Sequence, residues 1–182
     1  MSENENSPEN QEGAAAPQEG QQAQVGFALD RVYVKDLSFE SPNAPEVFSK
    51  DWDPKFKMDL NTKHKPVTDD VYEVTVCVTL TATVEGMTAY IAEVEQAGVF
   101  QVVGVQGIQL AQVLSSNCPS VLFPYLRETM DNLIVKGSFA PAYLAPVNFE
   151  AIFANALRKK QQELQEAQTA AAAAEAEDST SH

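Results

Sequence analysis

The sequence predicts an α+β chain, a four-stranded antiparallel sheet followed by a long kinked helix and a C-terminal amphipathic helix. Three observations carry this prediction. Residues 71–84 alternate with period two, placing Tyr72, Val74, Val76, Val78, Leu80, Ala82 and Val84 on one face and Glu73, Thr75, Cys77, Thr79, Thr81 and Thr83 on the other. Past about Gly107 the apolar period changes to that of a helix. After Asn148, a good N-cap residue, Phe149, Ile152, Phe153, Ala156, Leu157 and Leu164 form one helical stripe.

Taken in order, residues 25–39 read as a first strand. Phe27, Leu29, Tyr33 and Leu37 fall on one side of a strict alternation and Val32 and Val34 on the other. Apolar residues on both faces imply a second layer or a second subunit. Ser41-Pro42-Asn43-Ala44-Pro45 ends the strand, because two prolines remove ladder donors. The crossover that follows is aromatic for a connection, with Phe48 and Trp52. Residues 56–60 read as a short second strand, and Lys63-His64-Lys65-Pro66 as a loop. Glu85-Gly86 turns the third strand into a fourth over residues 88–96, which leaves Ile91 on the wet, acidic face beside Glu93. Helical spacing covers residues 107–116, breaks at Asn117-Cys118-Pro119, and resumes over residues 122–136. Gly137 stops it. A proline-broken loop with Phe139, Tyr143 and Leu144 leads to the last helix. Residues 25–167 are expected to form one domain between a disordered acidic tail, residues 1–24, and an Ala-rich acidic tail, residues 168–182.

The formal charge of the 182 residues is −14, and ten tail acids account for most of it, leaving −4 for residues 25–162. Such a chain repels phosphate backbones and attracts basic polypeptide stretches, so nucleic acid is not an expected partner. The start, Met1-Ser2-Glu3-Asn4-Glu5-Asn6, has no basic n-region or apolar h-region, and no apolar run reaches the ~20 residues of a membrane span. A cytoplasmic chain without direct membrane insertion is the expectation. Cys77 and Cys118 are far apart and form no CxxC pair. A reduced pair is the simpler reading, a single disulfide the other.

Chemistry is hard to assemble from these residues. His64 lies between lysines and His182 is terminal; Asp69-Asp70 reads as a polar strand entrance. No Cys or His stands at metal-ligand spacing, and neither a GxGxxG turn nor a P-loop is present. The expectation is a chain that is not an enzyme and takes no cofactor or metal. What stands out is aromatic residues in irregular segments: Phe39, Phe48, Trp52, Phe139 and Tyr143. They read either as loop rings packed on their own sheet or as an open apolar groove for another chain's side chains. Two further readings are a carrier of a lipophilic small molecule and an adaptor for one folded partner.

Five blocks of sequence resemble the SecB protein-export chaperones: Lys35-Asp36-Leu37-Ser38-Phe39-Glu40-Ser41-Pro42-Asn43-Ala44-Pro45-Glu46-Val47-Phe48, then Asp69-Asp70-Val71-Tyr72-Glu73-Val74, Ala97-Gly98-Val99-Phe100, Cys118-Pro119 with Leu122-Phe123-Pro124-Tyr125, and Leu144-Ala145-Pro146-Val147-Asn148-Phe149. The resemblance implies a SecB-like dimer of dimers in which first strands pair edge to edge and long helices lie between two sheets. It implies a homotetramer that holds unfolded precursor proteins without ATP and hands them to the SecA motor ATPase. The acids and apolar residue of the family's SecA patch match Asp36, Glu40, Ile91 and Glu93. The client groove maps onto Phe48, Trp52, Phe100, Tyr125, Phe139, Tyr143 and Leu144. At Phe139-Ala140-Pro141-Ala142-Tyr143 the chain departs from the family, which often has an extra proline just before Leu-Ala-Pro.

Overall fold

The computed structural model describes residues 26–178, with side chains through Ala167 and at Thr169. The acidic segment expected over residues 1–24 lies outside the described residues, as do the side chains of most of the Ala-rich C-terminal segment. Four strands, β1 (Gly26–Glu40), β2 (Lys55–Thr68), β3 (Val71–Val84) and β4 (Met87–Val103), form one antiparallel sheet in the order β1-β4-β3-β2. Then come α1 (Gly107–Gln112), a π-helical turn (Val113–Asn117), α2 (Cys118–Lys136) and α3 (Phe149–Asp178). Asn148 caps α3 as expected, its Oδ1 accepting the N–H of Ala151 at 2.9 Å.

The dry face of β3 is realised from Val74 to Val84, while Tyr72 is half-buried and Glu73 and Thr75 of the opposite face are buried as well. Val74, Val76, Val78, Leu80 and Ala82 meet Tyr90, Ala92 and Val94 of β4 and Leu122, Leu126, Met130 and Ile134 of α2 in one buried core. The approach of α2 to β4 is close enough to require a glycine. A Cβ on Gly98 would lie 2.7 Å from Leu122 Cδ2 and 2.9 Å from Phe100 Cε2. Glu85 and Gly86 turn β3 into β4 with φ of 50° and 81°, the paired positive values that a two-residue hairpin turn requires.

Four local expectations are set against the structure, and the last three are corrected. First, β1 is an edge strand whose Phe27, Tyr33, Val34 and Leu37 are exposed in the single chain, which is compatible with the second subunit that its apolar faces imply. Second, its faces differ from strict alternation because the register shifts between Leu29 and Arg31 and again between Val34 and Asp36. Each bulge inserts one residue and flips the side-chain parity. Val32 and Val34 therefore join Leu29, Leu37 and Phe39 on the helix side, and Tyr33 faces outward with Arg31 and Asp36. Third, β2 extends through Lys63-His64-Lys65-Pro66, which the sequence reads as a loop. Pro66 is tolerated because β2 is the other edge, where an N–H is dispensable. Fourth, Asn117-Cys118-Pro119 does not break the helix. Pro119 falls in the first turn of α2, where its missing N–H is harmless, and the irregularity is absorbed by the wide π turn.

Candidate functional site

Two surfaces gather the residues singled out in the sequence. The first is aromatic. The crossover from β1 to β2 contains a short 3-10 turn (Glu46–Ser49) whose Val47 is buried, and it is tied to β4 by side chains. Ser41 Oγ donates to the Ala89 carbonyl at 2.7 Å and Asn43 Nδ2 to the Thr88 carbonyl at 2.9 Å. These ties fix Phe48 and Trp52 over the end of the sheet. The loop after α2 comes back to the same place with Phe139.

Phe139 is the hub. Its ring centroid lies 5.0 Å from Tyr90, 5.2 Å from Phe48, 5.3 Å from Trp52 and 6.4 Å from Phe39, and Phe39 stacks on Tyr90 at 5.7 Å. Tilted pairs at these distances add about 0.5–1.5 kcal/mol each beyond the apolar area they bury. Exposure divides the cluster into floor and rim. Tyr90 and Phe139 are buried, while Phe48 and Trp52 keep 50 % and 40 % of their surface in solvent. Burial, followed by the negative charge of Asp131, pushes the Tyr90 hydroxyl up to about 12, and this hydroxyl has no hydrogen-bond partner among the described residues.

The other expected groove residues are scattered. Tyr143 is exposed on the same loop as Phe139, and Leu144 beside it is buried. Tyr125 is exposed on α2 and makes no ring pair among the described aromatics. Phe100 is fully buried and stacks on Phe27 at 5.6 Å, at the opposite end of β1 from Phe39. Phe100 is a core residue of this chain. A hollow of about 660 Å³ opens at that end, lined by Phe27, Ser116, Asn117, Val121, Val147 and Asn148 among others. Phe39, one of the rings singled out in irregular segments, belongs to the cluster, and so does Tyr90, to which the sequence reading gave no site role. Alternation places Tyr90 on the dry face, and only the folded loop shows that the ring underlies Phe139.

The second surface is the outward face of the sheet. Register pairs Asp36 with Glu95, Ser38 with Glu93, and Glu40 with Ile91. Asp36, Glu40, Ile91 and Glu93 thus share one face as the alternation requires, with Ile91 and Glu93 half-buried and Thr79 Oγ1 donating to Glu93 Oε2 at 2.8 Å. Glu95 completes the acidic stripe and was legible from the same period as Glu93. Toward the other end of this face Glu73 is buried beneath a hydrogen bond from the Tyr33 hydroxyl and ion pairs to Lys65 at 2.9 Å and Lys35 at 3.1 Å. The Tyr33 hydrogen bond first, then that of Lys65, hold its carboxyl at about 2 against the opposing cost of burial.

Neither thiol is poised for chemistry. Both cysteines are free; burial pushes Cys118 up to about 12, and Cys77 is raised by burial and then by Glu93 and Glu95. Among the described residues no group of three or more His, Cys, Asp or Glu is placed to hold a metal, and no helix is long and apolar enough to cross a membrane.

Comparison with known proteins agrees with this arrangement. Residues 20–161 match the family described as preprotein translocase subunit SecB. A protein-export protein SecB from Marinobacter nauticus is 54 % identical over 142 residues, spanning 78 % of this chain and 86 % of that protein. Another from Hahella chejuensis is 52 % identical over 165 residues, spanning 91 % of this chain and 98 % of that one. Among solved structures, a Mycobacterium tuberculosis SecB-like chaperone in complex with a ChAD peptide from an antitoxin superposes with a TM-score of 0.56. At 13 % identity, over 66 % of this chain and 90 % of that one, it speaks to the fold alone.

Proposed function

Because the chain belongs to the SecB family, we propose that it is an ATP-independent export chaperone that captures unfolded precursor polypeptides on the Phe48–Trp52–Phe139 surface. The observation that carries the reading is the split exposure of that cluster. Phe48 and Trp52 are held half in solvent over a buried Phe139, by loops hydrogen-bonded to the sheet. Fully burying such a side chain yields about 1.5–3 kcal/mol. A few client side chains covering these rims, less the entropy of ordering, reach the roughly −8 kcal/mol of micromolar binding. No covalent step or nucleotide is needed.

The finer features of the reading follow from the two edges and the outward face. β1 presents an unpaired ladder edge, and its exposed Phe27, Val34 and Leu37, with Phe56 and Met58 of β2, extend the apolar side of the sheet beyond α2. A homotetramer built by β1 edge pairing and sheet-over-helix stacking covers this surface. Repeated client surfaces on such an assembly add avidity along a long unfolded chain. The acidic stripe of Asp36, Glu40 and Glu93 around Ile91 is the docking site for the SecA motor ATPase. The compartment in which these meetings take place is the cytoplasm.

The test is aggregation of a chemically unfolded precursor diluted into buffer without ATP. Stoichiometric protection, with a complex visible by size exclusion and light scattering, is expected. An absence of any complex, or protection that requires nucleotide, overturns the proposal.

A further inference from the structure

The loop joining α2 to α3 has no regular secondary structure, yet one side chain grips its centre. Asp131 Oδ1, on α2, accepts the backbone N–H of Ala142 at 3.1 Å and that of Tyr143 at 3.2 Å. Tyr143 lies at φ 48°, in the left-handed region where Cβ crowds the backbone and where glycine or asparagine is the ordinary choice. Its neighbours turn inward: Leu144 is buried and Ala142 packs on the core. Tyr143 is instead 72 % exposed. A loop that only had to reverse direction would place a small residue here. An aromatic residue in a strained conformation, facing water, is unfavourable twice over inside the chain. The carboxylate that accepts both N–H groups is what holds it there.

Position supports a use for that ring. Tyr143 lies four positions after Phe139, a Cα–Cα span of at most ~14 Å, so the ring stands within one short peptide's reach of the aromatic hub. The charge of Asp131 also acts on the Tyr90 hydroxyl, after burial, in raising it.

We propose that Asp131 is a positioning residue for client capture: through the Ala142 and Tyr143 N–H groups it holds the Tyr143 ring outward as an additional contact for apolar side chains of an unfolded polypeptide. The proposal rests on the client-binding reading above. Asp131 acts through Tyr143, and a double-mutant cycle separates that action from loop stability in general.

The probe is a fluorescent precursor variant unable to fold, titrated by anisotropy with the full chain. Tyr143→Asn removes the ring and suits the left-handed backbone. It is expected to weaken capture about 5–10-fold, while raising the unfolding midpoint by about 1–2 °C. Asp131→Ala is expected to weaken capture by a similar factor, and the double variant no further than either. Asp131→Asn, which keeps the accepting oxygen, retains wild-type capture. Full capture by Asp131→Ala, multiplicative losses in the double variant, or Asp131→Asn as weak as Asp131→Ala overturns the inference. Should Asp131→Ala fail to fold, Tyr143→Asn decides, and unchanged capture or a lowered midpoint overturns it. Failure of the wild-type chain to capture the probe overturns the proposed function and this inference with it.

Discussion

Substituting Gly137 by alanine tests whether the aromatic cluster is a packed unit or a loose collection of rings. Gly137 follows α2 at φ −77° and ψ 3°, a conformation open to alanine, and its N–H bonds back to the carbonyls of Leu133 and Ile134. Where backbone alone matters, such a change stabilises by about 0.4–1 kcal/mol through the unfolded chain. Here the new Cβ would lie 2.2 Å from Phe39 Cζ, 2.6 Å from Cε1 and 3.0 Å from Cε2. The Phe39 ring has little room to retreat, since it stacks on buried Tyr90 and lies against Phe139. Overpacking of this kind costs about 1–3 kcal/mol, which exceeds the entropic gain and leaves a net destabilisation of about 1–2 kcal/mol. In urea, at fixed protein concentration because the proposed assembly would contribute to stability, the midpoint is expected to fall by about 0.5–1 M. Phe39→Leu in the Gly137→Ala background shortens the ring's reach and is expected to recover part of the loss. An unchanged or raised midpoint for Gly137→Ala refutes the reasoning, because it means that Phe39 swings aside freely.

Three other outcomes are expected. Replacing Phe48 and Trp52 together by alanine removes half-exposed rings, so stability falls by no more than about 2 kcal/mol while capture of an unfolded precursor falls at least tenfold in a fluorescence titration; equal losses in both would assign them to packing. Glu93→Lys places a cation in the acidic stripe and is expected to reduce SecA affinity at least tenfold in titration calorimetry, with precursor capture intact. Glu73 sets a pH dependence: its carboxyl is lowered from 4.5 to about 2 in the fold, so its stabilisation is complete above about 4.5 and is lost as pH falls toward 2. The shift corresponds to about 3 kcal/mol at most, and the rise of Tyr33 to about 12 reflects the same hydrogen bond and is not additional. Glu73→Gln is expected to be less stable at pH 7 and to flatten the acid limb of urea midpoints measured from pH 7 to 3; parallel limbs would reject the network as its origin.

What the sequence discloses depends on whether a feature is periodic. The dry face of β3, the helical stripe of α2 and the outward position of Ile91 and Glu93 all follow from a repeat of two or 3.6, and all are found in the structure. The faces of β1 do not follow. Two bulges, near Asp30 and Lys35, reset the parity, and nothing in the local composition marks either one. The true length of β2 was hidden because its charged second half, through Lys65 and Pro66, is held by pairing with β3 more than by its own apolar pattern. The aromatic cluster was half legible. Phe48, Trp52 and Phe139 stand out as rings in irregular segments. Their meeting over Tyr90 depends on contacts distant in sequence, and Phe100 shows that an aromatic residue in a family-like block can simply be core.

A surface that binds unfolded chains must keep apolar groups in water without letting them collapse inward. At the proposed client surface the segments that bear the rings are restrained. Phe48 and Trp52 follow a crossover tied to β4 through Ser41 and Asn43, and Tyr143 is gripped at its own N–H by Asp131. Each tie uses a polar side chain on a backbone group, so the position of the ring does not depend on burying it. Phe139 fills the space beneath Phe48 and Trp52 and removes the vacancy into which they would otherwise fall. The formal charge of −14 opposes random sticking between copies and favours encounter with basic stretches of a client. The exposed rings therefore remain available because the floor is filled, the loops are pinned and like-charged copies repel.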